Sequence, residues 1–197
     1  YCNAAKRLIV RREALDEFAK ALIDEFNKLK VGDPLDEGTD IGPLISAEAV
    51  SSMRAFLEDA LSKGGEILAQ LEVPRRGFYF PPTIVKLRVD SKARALREEV
   101  FGPILPLVVV DSDEEAVEAA NATDYGLDAS IFTRDFSRAY KLASRIKAGT
   151  VMINDTTRLR WDALPFGGFK RSAIGREGVY HTMLAMTEIK VLVWRLD

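Results

Sequence analysis

The segment Ile104–Val110, ILPLVVV, has no charged residue and ends in three consecutive valines. An uninterrupted apolar run with β-branched residues is typical of a strand buried on both faces, as in parallel sheets covered by helices. Ser112 and Glu115 follow at the spacing of a capping box, which predicts a helix directly after this strand. Two further predicted strands, 128–134 and 150–154, are separated by a helical segment. This order predicts an α/β fold with a mostly parallel sheet flanked by helices.

The first half of the chain predicts one more strand and two helices. Residues 6–11 are typical of a short strand. The next stretch has apolar residues at helical spacing, which predicts an amphipathic helix. These residues are Leu15, Phe18, Ala19, Leu22, Ile23, Phe26 and Leu29. Ser46 is suited to cap a second helix over 47–63, and Gly64 and Gly65 are suited to end it.

Prolines and glycines predict where other elements stop. Pro81 and Pro82 lack an amide hydrogen, so we expect the extended segment around them not to be a central strand. Gly149 predicts the end of the helical segment that lies between the last two predicted inner strands. Residues 67–70 and 189–194 also have the composition of strands.

Composition and charge argue against several classes of function. The 28 basic and 30 acidic residues are intermixed and give a net charge of −2, whereas a nucleic-acid surface needs clustered basic residues. No apolar run approaches the ~18 residues that span a bilayer, so we expect no membrane partner. The single cysteine cannot form an internal disulfide, which predicts a reducing, cytoplasmic location. No cluster of ligands has metal spacing, and His181 is interpreted as a half-buried structural residue.

Cys2 is the first candidate for chemistry. A cysteine acts as a nucleophile in its thiolate form, which a nearby cation, a helix N-terminus or a paired base favours. Lys6 and Arg7 are close in sequence, but no histidine is near. A lone cysteine is more often a small buried hydrophobe, so the residues alone leave both interpretations open.

The second candidate is the pair of acids in REEVFGPILP, residues 97–106. Adjacent side chains on an extended segment point to opposite sides, so either Glu98 or Glu99 can turn into a cleft beside Phe101. A carboxylate suits ribose hydroxyls because it accepts both hydrogen bonds of a vicinal diol. The alternative is a solvated acidic turn without a function.

The third candidate is the glycine-rich segment NDTTRLRWDALPFGGFKRSAIGREG, residues 154–178. Its spacing differs from that of a phosphate-binding P-loop, so glycines that allow close backbone packing are the better interpretation. Arg158 and Arg160 stand on the part of this segment that precedes the glycines. They can bind an anionic ligand or pair with Asp155 and Asp162.

Seven segments in one order resemble the C-terminal, catalytic-domain half of the NAD(P)-dependent aldehyde dehydrogenase superfamily. They are CNAAKR, VGDPLDEGTDIGPLIS, GFYFPPTIV, REEVFGPILP, YGLDASIFT, LPFGGFKRSAIGREG and MTEIK. The resemblance implies the aldehyde dehydrogenase catalytic-domain fold over 1–190, incomplete at its N-terminus. It also implies the start of an oligomerisation strand over 191–197, in a dimer or tetramer of identical chains.

The resemblance also implies roles for individual residues. Cys2 matches the nucleophile that attacks an aldehyde carbonyl and forms a thioester, which water then hydrolyses. Glu99 matches the residue that holds the nicotinamide ribose of NAD or NADP, and Phe101 matches the ring packed near it. Phe166 matches an aromatic residue that lines the substrate tunnel, and residues 154–162 match the loop at the tunnel mouth.

The loop residues expected to contact the aldehyde are Asp155, Thr156, Arg158 and Arg160. This loop resembles that of members acting on small polar or anionic aldehydes, such as lactaldehyde, glyceraldehyde 3-phosphate and semialdehydes. A guanidinium in the tunnel suits such substrates because it binds carboxylate or phosphate through two hydrogen bonds. Ala173 stands where the family has a glycine, which predicts that this turn is built differently.

Three parts of the family's machinery match no segment of the 197 residues. These are the oxyanion asparagine, the general-base glutamate and the dinucleotide-binding domain, so we expect an upstream domain to bind most of the cofactor. We also expect this catalytic-domain piece alone to be inactive. The alternatives are a non-catalytic remnant or oligomerisation scaffold, and a thiol esterase that needs no cofactor. Hydrolytic and CoA-acylating chemistry both remain open.

Overall fold

The computed structural model describes residues 1–197, and the chain divides into two compact units. The larger unit is residues 5–124, and the smaller unit is residues 1–4 together with 125–197. The larger unit contains β1 Leu8–Arg11, α1 Leu15–Phe26, α2 Ala47–Ser62, β2 Glu66–Gln70, β3 Thr83–Arg88, β4 Ile104–Val110 and α3 Asp113–Asn121. The smaller unit contains β5 Tyr125–Gly126, β6 Asp128–Ile131, α4 Phe136–Ala143, β7 Thr150–Ile153, β8 Phe169–Lys170 and α5 Val179–Ala185.

The larger unit is built around one four-stranded sheet with the order β1-β4-β3-β2. Strand β4 pairs in parallel with both of its neighbours, β1 and β3, and β2 pairs antiparallel with β3. All residues of β4 except Leu105 are buried. The prediction of an inner strand at this apolar run is therefore confirmed.

The side chains of β4 alternate between two hydrophobic clusters, because successive residues of a strand point to opposite faces. One cluster contains Ile104 and Val108 together with buried residues of α2. The other contains Leu107 and Val109 together with partly buried apolar residues of α1. Helices therefore cover both faces of this sheet, as a mostly parallel sheet requires.

The predicted helix caps are formed by the predicted residues. The Ser46 hydroxyl accepts the Ala49 amide proton at 3.2 Å at the start of α2. The Ser112 hydroxyl accepts the Glu115 amide proton at 3.1 Å at the start of α3. Each bond satisfies an amide that has no partner within the first helical turn, which stabilises the helix start.

The prediction that the segment at Pro81 and Pro82 is not a central strand is wrong. Strand β3 begins at Thr83, directly after the two prolines, and lies between β2 and β4. Its first paired residues, Thr83↔Ile104 with β4 and Thr83↔Gln70 with β2, follow the prolines. The missing amide hydrogens therefore fall outside the sheet and remove no bond between strands.

The smaller unit contains two short two-stranded sheets. Strands β6 and β7 pair in parallel with the register Asp128↔Thr150 to Ile131↔Ile153, and β5 pairs antiparallel with β8. Helix α4 begins at the Asp135 cap, whose carboxylate accepts the Arg138 amide proton at 3.0 Å. The prediction that this helix continues to Gly149 is wrong, because helix α4 ends at Ala143. Just after this end, the Ser144 hydroxyl donates to the Lys141 carbonyl at 3.0 Å.

The last twelve residues, 186–197, form no helix or strand. The side chains of Ile189, Leu192 and Trp194 are each more than 80% exposed. A strand needs a neighbouring strand for its backbone hydrogen bonds, and no segment of this chain pairs with 189–194. Residues 189–194 therefore do not form the predicted strand in the structure of the single chain.

Arg7 lies directly before β1 and links it to two other parts of the larger unit. Its guanidinium donates to the backbone carbonyls of Leu96 at 2.9 Å and Ala119 at 3.2 Å, with a longer contact to Ala120 at 3.4 Å. Leu96 ends a 3-10 turn, Arg94–Leu96, and the two alanines lie in the last turn of α3. A cation is favoured there because unpaired carbonyls give a helix C-terminus partial negative charge.

Candidate active site

Cys2 lies in a turn closed by the Ala4 amide, which donates to the Tyr1 carbonyl at 3.3 Å. The Cys2 side chain is exposed and forms no disulfide. The alternative of a small buried hydrophobe is therefore wrong for this chain. An accessible thiol is what nucleophilic attack requires, but the catalytic role of Cys2 stays a prediction.

Two reciprocal hydrogen bonds join the residue after Cys2 to the predicted tunnel-mouth loop. The Asn3 side-chain amide donates to the Thr157 carbonyl at 3.2 Å, and the Thr157 hydroxyl donates to the Asn3 carbonyl at 2.5 Å. The Thr157 side chain is buried, with 9% of its surface exposed. Both residues belong to the smaller unit, so this pair fixes the segment of Cys2 against the loop.

The two arginines of the loop stack on aromatic rings and do not pair with acids of the loop. The Arg158 guanidinium lies 4.8 Å from the ring centre of Tyr1, and that of Arg160 lies 4.0 Å from the ring centre of Phe166. A guanidinium is attracted to the negative face of an aromatic ring. The alternative that these arginines pair with Asp155 and Asp162 is therefore wrong.

The side chains of Asp155 and Thr156 hold the backbone of their own loop. The Asp155 carboxylate accepts the Thr156 amide proton at 2.7 Å, and the Thr156 hydroxyl accepts the Arg158 amide proton at 3.3 Å. Both side chains are exposed. The structure shows a role for them in shaping the loop, and their predicted contact with an aldehyde stays a prediction.

Glycines bring the backbone after Phe166 into close contact with two other segments. A Cβ atom added to Gly149 would collide with the carbonyl of Gly167, and one added to Gly168 would lie 2.7 Å from the carbonyl of Gly126. These contacts between main chains explain the glycines without a phosphate ligand, as the sequence predicts. They also fix the backbone that carries the Phe166 ring.

Ala173 adopts an ordinary backbone conformation. The left-handed φ angles of its turn occur at Lys170, with φ of 56°, and at Gly175, with φ of 80°. An alanine is compatible with this backbone at 173, and a turn built differently from that of the family stays a prediction. The Ser172 hydroxyl accepts the Gly126 amide proton at 2.8 Å, which ties the turn to β5.

The two neighbouring glutamates of the larger unit have different surroundings, as the sequence predicts. Glu98 is exposed and pairs with the Arg94 guanidinium through two hydrogen bonds of 2.8 Å, which hold its pKa below the ordinary value. Glu99 is half-buried and makes no hydrogen bond or ion pair. Both oxygens of the Glu99 carboxylate are therefore available to accept hydrogen bonds from a ligand with two O–H or N–H groups.

Phe101 has 57% of its surface exposed, and the Lys6 ammonium lies 4.5 Å from its ring centre. Glu99, Phe101 and Lys6 all belong to the larger unit, whereas Cys2 and the loop arginines belong to the smaller one. The sequence did not indicate that Lys6 would contact Phe101. The only available signal was that Lys6 is the first residue of the predicted strand 6–11.

Asp128 is a candidate that the sequence analysis missed. It is half-buried at the start of β6, opposite Thr150 in the parallel pair, and its carboxylate accepts a hydrogen bond from the Thr150 hydroxyl. Burial raises the pKa of Asp128, and this rise is opposed by the Thr150 hydrogen bond and by the charge of Arg160. An acid among the otherwise apolar and small residues of DASI was the available signal.

His181 is half-buried on α5, and its ring meets that of Tyr180 edge to face, with 5.5 Å between ring centres. The predicted structural role is consistent with this contact. No three His, Cys, Asp or Glu side chains are placed to hold a metal ion. No helix has both the length and the apolar character needed to cross a bilayer.

The sequence model of the aldehyde dehydrogenase family matches residues 1–192. The chain belongs to the aldehyde dehydrogenase family. A lactaldehyde dehydrogenase from Methanococcus maripaludis is 38% identical over 192 residues, which are 98% of this chain and 40% of that protein. The chain thus spans about 40% of the length of the relatives it matches.

Solved structures of the family have the same fold. Glyceraldehyde-3-phosphate dehydrogenase GapN from Methanocaldococcus jannaschii, complexed with NADP, gives a TM-score of 0.89 at 37% identity over 96% of this chain and 41% of its own. Aldehyde dehydrogenase 21 from Physcomitrella patens, complexed with its reaction product succinate, gives 0.87 at 38% identity over 96% and 39%. The predicted α/β fold of the aldehyde dehydrogenase catalytic-domain type is confirmed.

We expect Asp128→Asn to change how stability depends on pH. Because burial raises the pKa of Asp128 above 3.8, the folded chain holds this proton more tightly than the unfolded chain. The stability that the protonated carboxyl contributes is complete below the unfolded pKa and is lost as the pH rises through the folded pKa. The wild type should therefore lose stability relative to Asp128→Asn over this window.

Urea unfolding at a series of pH values from about 3.5 to 7 measures this difference. Asp162→Asn, at an exposed acid of the smaller unit, is the control for the loss of one surface carboxylate. A difference between wild type and Asp128→Asn that stays constant over the series contradicts a pKa raised by burial.

Proposed function

We propose that residues 1–190 supply the catalytic-domain part of an NAD(P)-dependent aldehyde dehydrogenase that oxidises an aldehyde to the carboxylate. One observation carries the proposal. The residue that follows the exposed Cys2 is bonded, through the Asn3–Thr157 hydrogen bonds, to the loop that carries Arg158 and Arg160. A nucleophile and two cations in one unit suit attack on a small aldehyde that bears an anionic group.

In this proposal Cys2 performs covalent catalysis. Its thiolate attacks the aldehyde carbonyl carbon and forms a thiohemiacetal, whose oxyanion the Cys2 backbone N–H stabilises. Loss of hydride from that carbon leaves a thioester on Cys2. Water then adds to the thioester, releases the carboxylate and restores the thiol. NAD or NADP, when bound, supplies the hydride acceptor.

Glu99 fits the part of the cofactor that the sequence predicts it to hold. A half-buried carboxylate without a partner can accept both hydroxyl protons of a ribose, and such charge-assisted bonds are stronger than neutral ones. Phe101, held beside the Lys6 ammonium, offers an apolar ring next to it. GapN from Methanocaldococcus jannaschii is complexed with NADP, which supports the use of NAD or NADP here.

We propose a small polar or anionic aldehyde as the substrate. Arg158 and Arg160 supply the positive charge, Asp155 and Thr156 shape the loop, and Phe166 supplies an apolar wall. The similar proteins include a lactaldehyde dehydrogenase, a glyceraldehyde-3-phosphate dehydrogenase and an enzyme with succinate as its product. Each of these names a small aldehyde or acid of this kind.

We further propose that residues 191–197 begin a strand that pairs with a second copy of the chain in a dimer or tetramer. The segment VLVW contains four apolar side chains, each at least 76% exposed. Its backbone has no strand partner within the chain. An unpaired apolar strand of this kind is a template for pairing with another chain.

We expect Glu99→Gln to raise the KM for NAD(P) about tenfold, because it removes the charge from both hydrogen bonds to the ribose. The assay is NAD(P)H formation by the product of the complete reading frame that contains this chain. Glu98→Gln is the matched control, since Glu98 already pairs with Arg94 at the surface, and should change KM by less than about twofold. Equal effects of the two variants contradict the assignment.

We expect replacement of both Arg158 and Arg160 by alanine to lower kcat/KM for glyceraldehyde 3-phosphate about tenfold or more relative to propionaldehyde. The physical reason is the loss of charge-assisted hydrogen bonds to the anionic group. Replacement of Arg75 and Arg76, two exposed arginines of the larger unit, is the matched control and should leave this ratio unchanged. An unchanged ratio in the loop variant contradicts the anion-binding role.

A further inference from the structure

Arg7 is a half-buried cation whose hydrogen-bond partners are all backbone carbonyls. Its guanidinium donates to Leu96 at 2.9 Å and to Ala119 at 3.2 Å, with the longer contact of 3.4 Å to Ala120. A half-buried guanidinium loses part of its hydration, and these carbonyls replace it. Arg7 therefore holds main chain in place and does not neutralise an acid.

The carbonyls that Arg7 binds belong to two segments far apart in sequence. Leu96 ends the 3-10 turn Arg94–Leu96, and the two alanines lie in the last turn of α3. Arg7 itself directly precedes β1. A planar guanidinium has five N–H donors in fixed directions, so one side chain can bond to both segments at once. Arg7 thus joins the start of β1, the 3-10 turn and the end of α3.

The turn that Arg7 holds leads directly to Glu99. The buried side chains of Leu96 and Val100, with 7% and 2% of their surface exposed, stand before and after Glu99 in the chain. The Glu99 carboxylate makes no hydrogen bond or ion pair within the chain. A side chain without a partner takes its position from its backbone, so the bond to the Leu96 carbonyl acts on the position of Glu99.

Two further side chains hold the same turn. The Asp59 carboxylate accepts the Arg94 amide proton at 2.7 Å, and the Thr123 hydroxyl donates to the Arg97 carbonyl at 2.8 Å. Thr123 comes just after the end of α3, which is therefore bonded to the turn twice. Arg7 differs from these two side chains because it also connects the turn to β1.

We propose that Arg7 is a positioning residue for the cofactor, because its bond to the Leu96 carbonyl sets where the Glu99 carboxylate meets the ribose hydroxyls of NAD or NADP. This inference rests on the function proposed above and adds a residue that acts through Glu99. Hydrogen bonds weaken steeply as their angles depart from linearity. Displacement of the backbone before Glu99 should consequently weaken cofactor binding.

The first test is the Kd for NADH and for NADPH, measured by fluorescence titration of the complete reading-frame product that contains this chain. Arg7→Met keeps a long side chain and removes every donor. We expect this variant to raise the Kd about fivefold to tenfold, and no more than Glu99→Gln does, because Arg7 acts through Glu99. An unchanged Kd overturns the inference.

Arg7→Lys is a milder variant that keeps the test decisive if Arg7→Met does not fold. A lysine retains the charge but lacks the rigid fork that bonds to both segments. We expect it to raise the Kd about threefold, between the values of the wild type and of Arg7→Met. A Kd in Arg7→Lys equal to that of the wild type overturns the inference.

Arg11→Met is the matched control, because Arg11 also links β1 to α3 but at the other end of β1. Its guanidinium donates to the carboxylate of Asp113, the first residue of α3, at 3.1 Å. This variant should lower the free energy of unfolding, as Arg7→Met does, and should change the Kd by less than about twofold. Equal increases of the Kd in the two variants overturn the inference, since they indicate a general loss of packing.

A double-mutant cycle separates positioning from a general structural role. If Arg7 acts through Glu99, Arg7→Met should raise the Kd by less than about twofold in a protein that already carries Glu99→Gln. The same fold-increase with and without the Glu99 carboxylate overturns the inference.

Hydrogen exchange without cofactor distinguishes failure of this inference from failure of the proposed function. The amides of Arg97 and Glu98 both donate to the Arg94 carbonyl, at 2.9 and 2.8 Å. In Arg7→Met we expect these amides to exchange faster, while those of β4 keep their wild-type rates. Wild-type rates at both amides overturn the inference whether or not NAD or NADP binds. Faster exchange with a Kd that Glu99→Gln leaves unchanged contradicts the proposed role of Glu99 itself.

Discussion

The parallel pairing of β1 with β4 is the constraint on which the larger unit depends. Parallel neighbours begin at the same edge of a sheet, so the residues before β1 lie beside the residues before β4. Arg7 reaches the carbonyl of Leu96 there, and Lys6 reaches the ring of Phe101. The pairing of β1 with the buried strand β4 thus positions the segment that carries Glu99. Arg7, whose guanidinium donates only to backbone carbonyls, completes the connection.

The smaller unit is organised by main-chain and hydrogen-bond contacts between distant segments. Asn3 and Thr157 are 154 positions apart in sequence, and their reciprocal bonds join the Cys2 turn to the arginine loop. Close contacts between glycine backbones fix the segment after Phe166. The Asn3–Thr157 bonds and the glycine contacts both hold the main chain in place. Substitutions that disturb either set of contacts should therefore move the Cys2 thiol or the Phe166 ring relative to the loop.

Much of this arrangement could be predicted from the sequence, because it follows from local rules. The apolar run of β4 and the caps at Ser46 and Ser112 depend on periodicity and on neighbouring residues. The glycine packing and the different surroundings of the two glutamates were predicted for similar reasons. The family of the chain was indicated by the resemblance of seven segments in one order and not by local rules.

The rest depends on contacts that local patterns do not encode. Pro81 and Pro82 lie just before the first paired residue of β3, Thr83, and only the pairing register shows this. Arg158 and Arg160 prefer aromatic rings over nearby acids because the loop folds back on Tyr1 and Phe166. Asp128 and Arg160 line the same pocket although 31 residues lie between them in the chain.

The most direct test of the central claim, that Cys2 is the nucleophile, is mass spectrometry of the complete reading-frame product after acid quenching during aldehyde oxidation. The expected result is the mass of one acyl group on the peptide that contains Cys2, and aldehyde oxidation that continues in a Cys2→Ser variant contradicts the claim.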